Sequence, residues 1–178
     1  MKKITLISFC LAALAFASCA GGGCPATGII PAPQQVTWGE GAFRMPAKLL
    51  YTTDLDGQDK ADLAAWMQRA ADGFFPASFA EASDGDMPAL ELLRTESYRL
   101  DVSRTKIMLT APDAAGLFYG LQSLAQLAGH HGRRIPAVTI VDAPRFGYRG
   151  FMLDVSRHFR DKEFVERQLD LMARYKLN

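Results

Sequence analysis

Cysteine is almost absent from the body of this chain. The three cysteines, Cys10, Cys19 and Cys24, all fall within the first 24 residues. Beyond them, no structural disulfide and no thiolate metal site can form. Charge bias is also lacking: 20 Lys and Arg against 19 Asp and Glu leave a net charge of +1. That balance singles out neither nucleic acid nor an anionic membrane as a partner. After residue 20 no apolar run is long enough to span a bilayer. Tryptophan is limited to Trp38 and Trp66. There is no G-x-S-x-G, no P-loop and no zinc-ligand spacing. What remains is an ordinary globular composition, 49% hydrophobic and 22% charged over 178 residues. This length supports one well-cored domain, not two large ones.

The N-terminus has its own character. Lys2 and Lys3 precede an apolar run from Ile4 to Phe16, and Ala17-Ser18-Cys19 supplies small residues at a processing site. The pattern predicts an export signal over residues 1–19. It resembles a bacterial lipoprotein signal, with Cys19 as the lipidated residue, although Phe16 stands where Leu is more usual. Plain secretion with nearby cleavage is the alternative. The lipoprotein reading implies an exported protein held at the periplasmic or cell-surface side of a membrane. At about 0.8 kcal/mol per buried CH₂, several acyl chains would anchor it. Residues 20–28 are a glycine-rich tether.

The folded part begins with the extended lead-in Ile29 to Val36, where Pro31 and Pro33 forbid a helix. Lys48 to Thr52 reads as a strand. Residues 60–71 read as a helix with Leu63, Trp66, Met67 and Ala70 on one face, ended by Gly73. Ser83-Asp84-Gly85-Asp86 is turn chemistry before a strand from Ala89 to Leu93. Residues 97–110 read as a hairpin turning at Ser103-Arg104-Thr105. Asp113 is the expected cap of a helix from Ala114 to Ala128, with Leu117, Leu121, Leu124 and Leu127 inward. Gly116 and Gly120 leave bare backbone for a neighbouring strand. Gly129 is the expected stop, which puts His130, His131, Arg133 and Arg134 in a solvated turn. The paired histidines have no third ligand at a fitting spacing, so no metal site is expected. Ile135 to Val141 is a further strand. Residues 29–142 therefore predict an α+β domain.

A different pattern follows from residue 143. Tyr148 to Val155 reads as a strand and Asp161 as the cap of a helix carrying Val165, Leu169 and Met172 on one stripe. Tyr175 to Asn178 reads as the approach to another strand. This is one βα unit and the start of the next, with apolar surface that needs neighbours. Arg157 and His158 lie at the carboxyl end of the first strand, where barrel enzymes place polar sites. Arg157 has a planar fork of donors suited to carboxylates or vicinal hydroxyls; an ion pair with Asp154 is the competing role. His158 reads as a packed or hydrogen-bonded residue, not a general base. Asp142 and Arg145 are expected to tie the connecting segment to the domain edge, and Arg149 to form a structural salt bridge.

Three segments together resemble the β-N-acetylhexosaminidases of glycoside hydrolase family 20. They are Pro31 to Val36; Glu96 to Leu100 with Ala115 to Leu127; and Asp142 to Phe159 with Tyr175 to Asn178. The resemblance implies a small α+β domain followed by the first βα unit of a TIM barrel, incomplete here. It implies removal of terminal β-linked N-acetylglucosamine or N-acetylgalactosamine from glycans or chitin oligosaccharides, with retention and assistance from the substrate's own acetamido group. It assigns Arg157 to sugar hydroxyls at C3 and C4, and Asp154 and His158 to supporting roles. No cofactor is implied. The family's catalytic Asp–Glu pair would lie beyond Asn178, so the 178 residues alone are expected to be inactive. A stand-alone carbohydrate-binding or interaction module is the alternative.

Overall fold

The computed structural model describes residues 26–73, 75–84, 86–94 and 98–178. The export signal, Cys19 and most of the tether lie outside these residues. Seven strands form one sheet: β1 (Gln35–Arg44), β2 (Lys48–Thr53), β3 (Ser78–Glu81), β4 (Leu90–Arg94), β5 (Arg99–Val102), β6 (Ile107–Ala111) and β7 (Arg134–Val141). Their order across the sheet is β1-β7-β5-β6-β4-β2-β3. The half containing β1, β7, β5 and β6 is antiparallel, and β6, β4, β2 and β3 are parallel. Helices α1 (Gly57–Gly73) and α2 (Ala114–His131) cover the sheet, and α3 (Lys162–Arg174) follows it.

Strand alternation sets which residues enter the core. Leu100 and Val102 of β5 and Ile107, Leu109 and Ala111 of β6 are buried beneath the helices, whereas Arg99 is exposed. From α1 come Leu63, Trp66, Met67 and Ala70, all four on the predicted face. From α2 come Leu117, Leu121, Leu124 and Leu127. The two helices meet where Trp66 stands edge-on to Phe118, with ring centroids 5.3 Å apart. The glycine pair acts as expected. A Cβ on Gly120 would lie 2.2 Å from the Leu109 side chain and 2.5 Å from Tyr98; one on Gly116 would lie 2.8 Å from Ala111. Bare backbone is what lets α2 settle onto β6.

Two strands were not evident from local pattern. β1 is longer than an extended lead-in, because its pairing with β7, from Gln35 with Val141 to Arg44 with Arg134, lies far along the chain. Its alternation is broken by a bulge between Trp38 and Ala42, where Gly41 takes φ +90°. β3 is a four-residue parallel edge strand against β2. Its burial is supplied by α1 and β2, not by its own sequence.

Helix α2 also runs past its predicted stop. Gly129 remains helical, and the chain turns at Gly132, φ +65°. His130 and His131 therefore form its last helical turn, where His130 is exposed as expected and His131 is half-buried. His131 stands edge-on to Trp38 at 6.1 Å and beside His130 at 4.8 Å. Its buried Nε2 has no hydrogen-bond partner among the described residues. Burial pushes its pKa down, as does His130, against a hydrogen bond with the Ala26 backbone. Among the described residues, no group of three His, Cys, Asp or Glu could hold a metal ion, and no helix is long and apolar enough to cross a membrane.

Candidate sugar-binding segment and the joint that carries it

The segment from Tyr148 to Val155 is not a strand: it lies outside the sheet and is mostly exposed, with Val155 already in a turn. A lone strand has no ladder to fill its backbone bonds and no sheet face on which to lay its side chains. Its one pairing is at its start, where Asn178 donates its backbone N–H to the Arg149 carbonyl at 2.9 Å. The Asn178 Oδ1 accepts from the Arg149 N–H at 2.8 Å. Tyr148 before it, and Met152 and Phe159 beyond it, stand 83%, 89% and 85% exposed. Helix α3 forms as predicted, with Asp161 accepting from the Phe164 N–H at 2.8 Å, but buries none of its residues.

Asp154 ends this arm and makes the turn that follows. Its Oδ1 accepts from the backbone N–H groups of Ser156, at 2.9 Å, and Arg157, at 3.2 Å. A short acceptor side chain bonding its own following backbone is what makes Asp a turn former. Its other oxygen, Oδ2, lies 3.5 Å from Arg157 Nε. Both roles weighed for Arg157 therefore remain open to it. The ion pair exists, yet the Arg157 side chain is 85% exposed, and an exposed pair contributes about 0–1 kcal/mol. Such a pair leaves most of the guanidinium open to solvent. Of the packed or hydrogen-bonded roles expected for His158, packing is not seen: the residue is exposed.

The connection to the small domain is a polar joint that sequence reading foresaw only in part. Asp142 does tie the connecting segment, through an ion pair of 2.7 Å with Lys176 whose side chains are 12% and 9% exposed. Arg149 forms no salt bridge among the described residues. It donates to the carbonyls of Lys176 and Phe146, each at 2.7 Å, and lies over the Tyr119 ring at 5.3 Å. Arg145 lies over its neighbour Phe146. From α2, Gln126 accepts from the Ile30 N–H at 2.7 Å and donates to the carbonyls of Ile30, at 3.2 Å, and Arg174, at 2.8 Å. Tyr98 donates to Ser123 Oγ at 2.8 Å, and burial raises its phenol pKa, keeping it neutral. Gln122, Ser123 and Gln126 are polar residues buried in an otherwise apolar helix. That mismatch, visible in the sequence, was the signal that something polar docks there.

Between these elements lies a cavity of about 880 Å³, walled by Pro31, Gly116, Tyr119, Asp142, Phe146 and Arg149 among others. Of its cations, Lys176 is engaged by Asp142 and Arg149 by two carbonyls and a ring, while Arg145 lies over Phe146.

A mixed sheet covered by two helices, joined by a buried polar contact to an exposed arm and one amphipathic helix, defines an α+β domain leading into a second domain. Residues 26–143 match the description "Glycosyl hydrolase family 20, domain 2", and residues 146–178 match "Glycosyl hydrolase family 20, catalytic domain". The chain belongs to glycosyl hydrolase family 20, as an α+β domain followed by the start of the catalytic barrel. It is 49% identical over 85 residues to a beta-hexosaminidase of Vibrio vulnificus, an alignment covering 48% of this chain and 10% of that protein. It is 31% identical over 166 residues to a beta-hexosaminidase of Porphyromonas gingivalis, covering 84% and 21%. Among solved structures, a Streptomyces plicatus beta-hexosaminidase mutant in complex with its product GlcNAc superposes with a TM-score of 0.73 at 30% identity. That match covers 87% of this chain and 34% of the other. The chain thus spans between a tenth and about a third of the length of these relatives.

Proposed function

We propose that these residues are the leading part of a retaining, substrate-assisted β-N-acetylhexosaminidase that removes terminal β-linked N-acetylglucosamine or N-acetylgalactosamine from glycans. The observation that carries the reading is the turn Asp154 to Arg157 in a chain of this family. Asp154 fixes the backbone of the turn and leans on one edge of a guanidinium that is otherwise open to solvent. An open fork of donors fits two neighbouring sugar hydroxyls, and bidentate contacts of this kind are stronger than single neutral ones. His158 and Asp154 support it. The likeness to an enzyme solved with GlcNAc supports the substrate class.

The chemistry itself needs an acid that donates to the departing oxygen and a carboxylate that orients the acetamido group. No adjacent Asp–Glu pair occurs in these 178 residues. The isolated chain therefore has no hydrolase activity, and turnover of an aryl N-acetylglucosaminide by the purified chain would overturn that statement. The exposed apolar residues Phe151, Met152, Phe159 and Leu169 support the enzyme reading over a self-sufficient binding module, which would present less unpaired apolar surface.

In a protein carrying these residues together with a complete catalytic domain, Arg157→Ala should lower kcat/KM by about 10- to 100-fold, the loss of charge-assisted hydrogen bonds. Arg157→Lys should recover only part of it. Unchanged kinetics in Arg157→Ala would remove Arg157 from the sugar site. Export as a lipoprotein through Cys19 belongs to the same proposal; incorporation of labelled fatty acid in cells, lost in Cys19→Ala, is the expected result.

A further inference from the structure

We propose that Lys176 and Asp142 form a latch between the two parts of the chain, with Lys176 as the positioning residue that sets where the Arg149–Arg157 arm begins. The first sign is the backbone. Helix α3 ends with Lys176 N–H donating to the Ala173 carbonyl at 3.0 Å and Leu177 N–H to the Met172 carbonyl at 2.9 Å. This is the double bond pattern in which the residue after the helix cap turns left-handed, a place where glycine is favoured. Here it is a lysine at φ +59°, the one non-glycine residue with positive φ among those described. A side chain held in a left-handed conformation carries a conformational cost and persists where its surroundings over-determine it.

The surroundings supply the reason. The Lys176 ammonium is buried, 2.7 Å from the Asp142 carboxylate and 5.8 Å from the centre of the Tyr98 ring. Removing one partner of a buried pair strands the other charge. The Lys176 carbonyl accepts from Arg149 Nε, and two residues on Asn178 holds both backbone groups of Arg149. Gln126 adds a bond from α2 to the Arg174 carbonyl. One lysine thus faces both ways. Its side chain grips the end of the sheet at Asp142, next to β7, and its backbone grips the start of the arm. Two cations of the cavity beside it, Lys176 and Arg149, are engaged in this joint. The consequence for Arg157 rests on the sugar-binding reading above; the latch does not.

A cap role and a latch role predict opposite results for Lys176→Gly. As a cap alone, glycine would relieve the left-handed turn and leave α3 and the arm as firm or firmer. As a latch, its loss should speed amide exchange at Asn178 by about 100-fold, while sheet amides such as Leu100 keep their protection. The test is exchange by NMR on the 178-residue chain, and it reads neither sugar nor turnover, so its failure leaves the Arg157 reading standing. Lys176→Arg, which keeps the charge, should retain most of the protection. If Lys176→Gly fails to fold, Asp142→Asn must reproduce the same selective loss. Unchanged or greater protection at Asn178 in Lys176→Gly overturns the latch. So does protection retained in Asp142→Asn, or an equal loss at Leu100.

Discussion

Helices α2 and α3 begin alike and are used differently. Each starts at an aspartate whose carboxylate accepts from the backbone N–H three residues on, Asp113 from Gly116 and Asp161 from Phe164. Yet α2 buries ten of its residues and α3 buries none. Capping and periodicity are local properties, and both helices have them. Burial is a property of what lies opposite, and only α2 has a sheet beneath it. The same contrast divides the chain: up to Val141 the apolar pattern is met by a partner, and beyond it the pattern is written out and left exposed.

The sharpest way to test that contrast is to delete matched leucines. Leu109 is fully buried between β5, β4 and α2, whereas Leu169 is 56% exposed. Leu109→Ala should cost about 2–5 kcal/mol in urea unfolding, from lost transfer energy plus a cavity. Leu169→Ala should change the same midpoint by no more than about 0.5 kcal/mol. Comparable losses in both would mean that α3 has a buried face after all.

The caps offer a smaller version of the comparison. Asp113→Ala should lower the stability of the whole sheet domain by about 1 kcal/mol. Asp161→Ala should leave that midpoint in place and reduce only the helical signal of residues 162–174, read by NMR chemical shifts, because α3 buries none of its own residues.

The smallest effect is expected at His131, at the opposite end of α2. Its folded pKa is lowered, so the folded state binds the proton less readily than the unfolded chain. Stability from this group is complete above the unfolded pKa of about 6.5 and declines as pH falls from there through the lower folded value. Urea midpoints measured on either side of about pH 6.5 should differ in that direction, and His131→Asn should flatten the dependence. A midpoint that rises on acidification would show instead that the helix C-terminus stabilises the imidazolium more than burial opposes it.

Much of this was legible from the residues. The inward faces of α1 and α2, the β5–β6 hairpin, both aspartate caps and the close approach at Gly120 follow from periodicity and steric size, which act over a few neighbouring residues. The resemblance in Asp142 to Phe159 led to the family. Less legible were β1 and β3, whose pairing partners decide them, and the length of α2, where Gly129 has no obligation to stop a helix already held by packing. Arg149 was expected to find an acid and found carbonyls and a ring, because its choice depended on which groups the fold brought within reach.

The sequence by itself determined which segments form helices, the aspartate N-caps of α2 and α3, which faces are apolar and which family the chain resembles, because each is settled by spacing along the chain. The tertiary structure alone decided the strand order, the absence of a strand from Tyr148 to Val155, and the burial of Lys176 against Asp142. Those depend on contacts between residues far apart in sequence. A strand needs neighbours for its hydrogen bonds, and a lysine turns inward only where a carboxylate already waits.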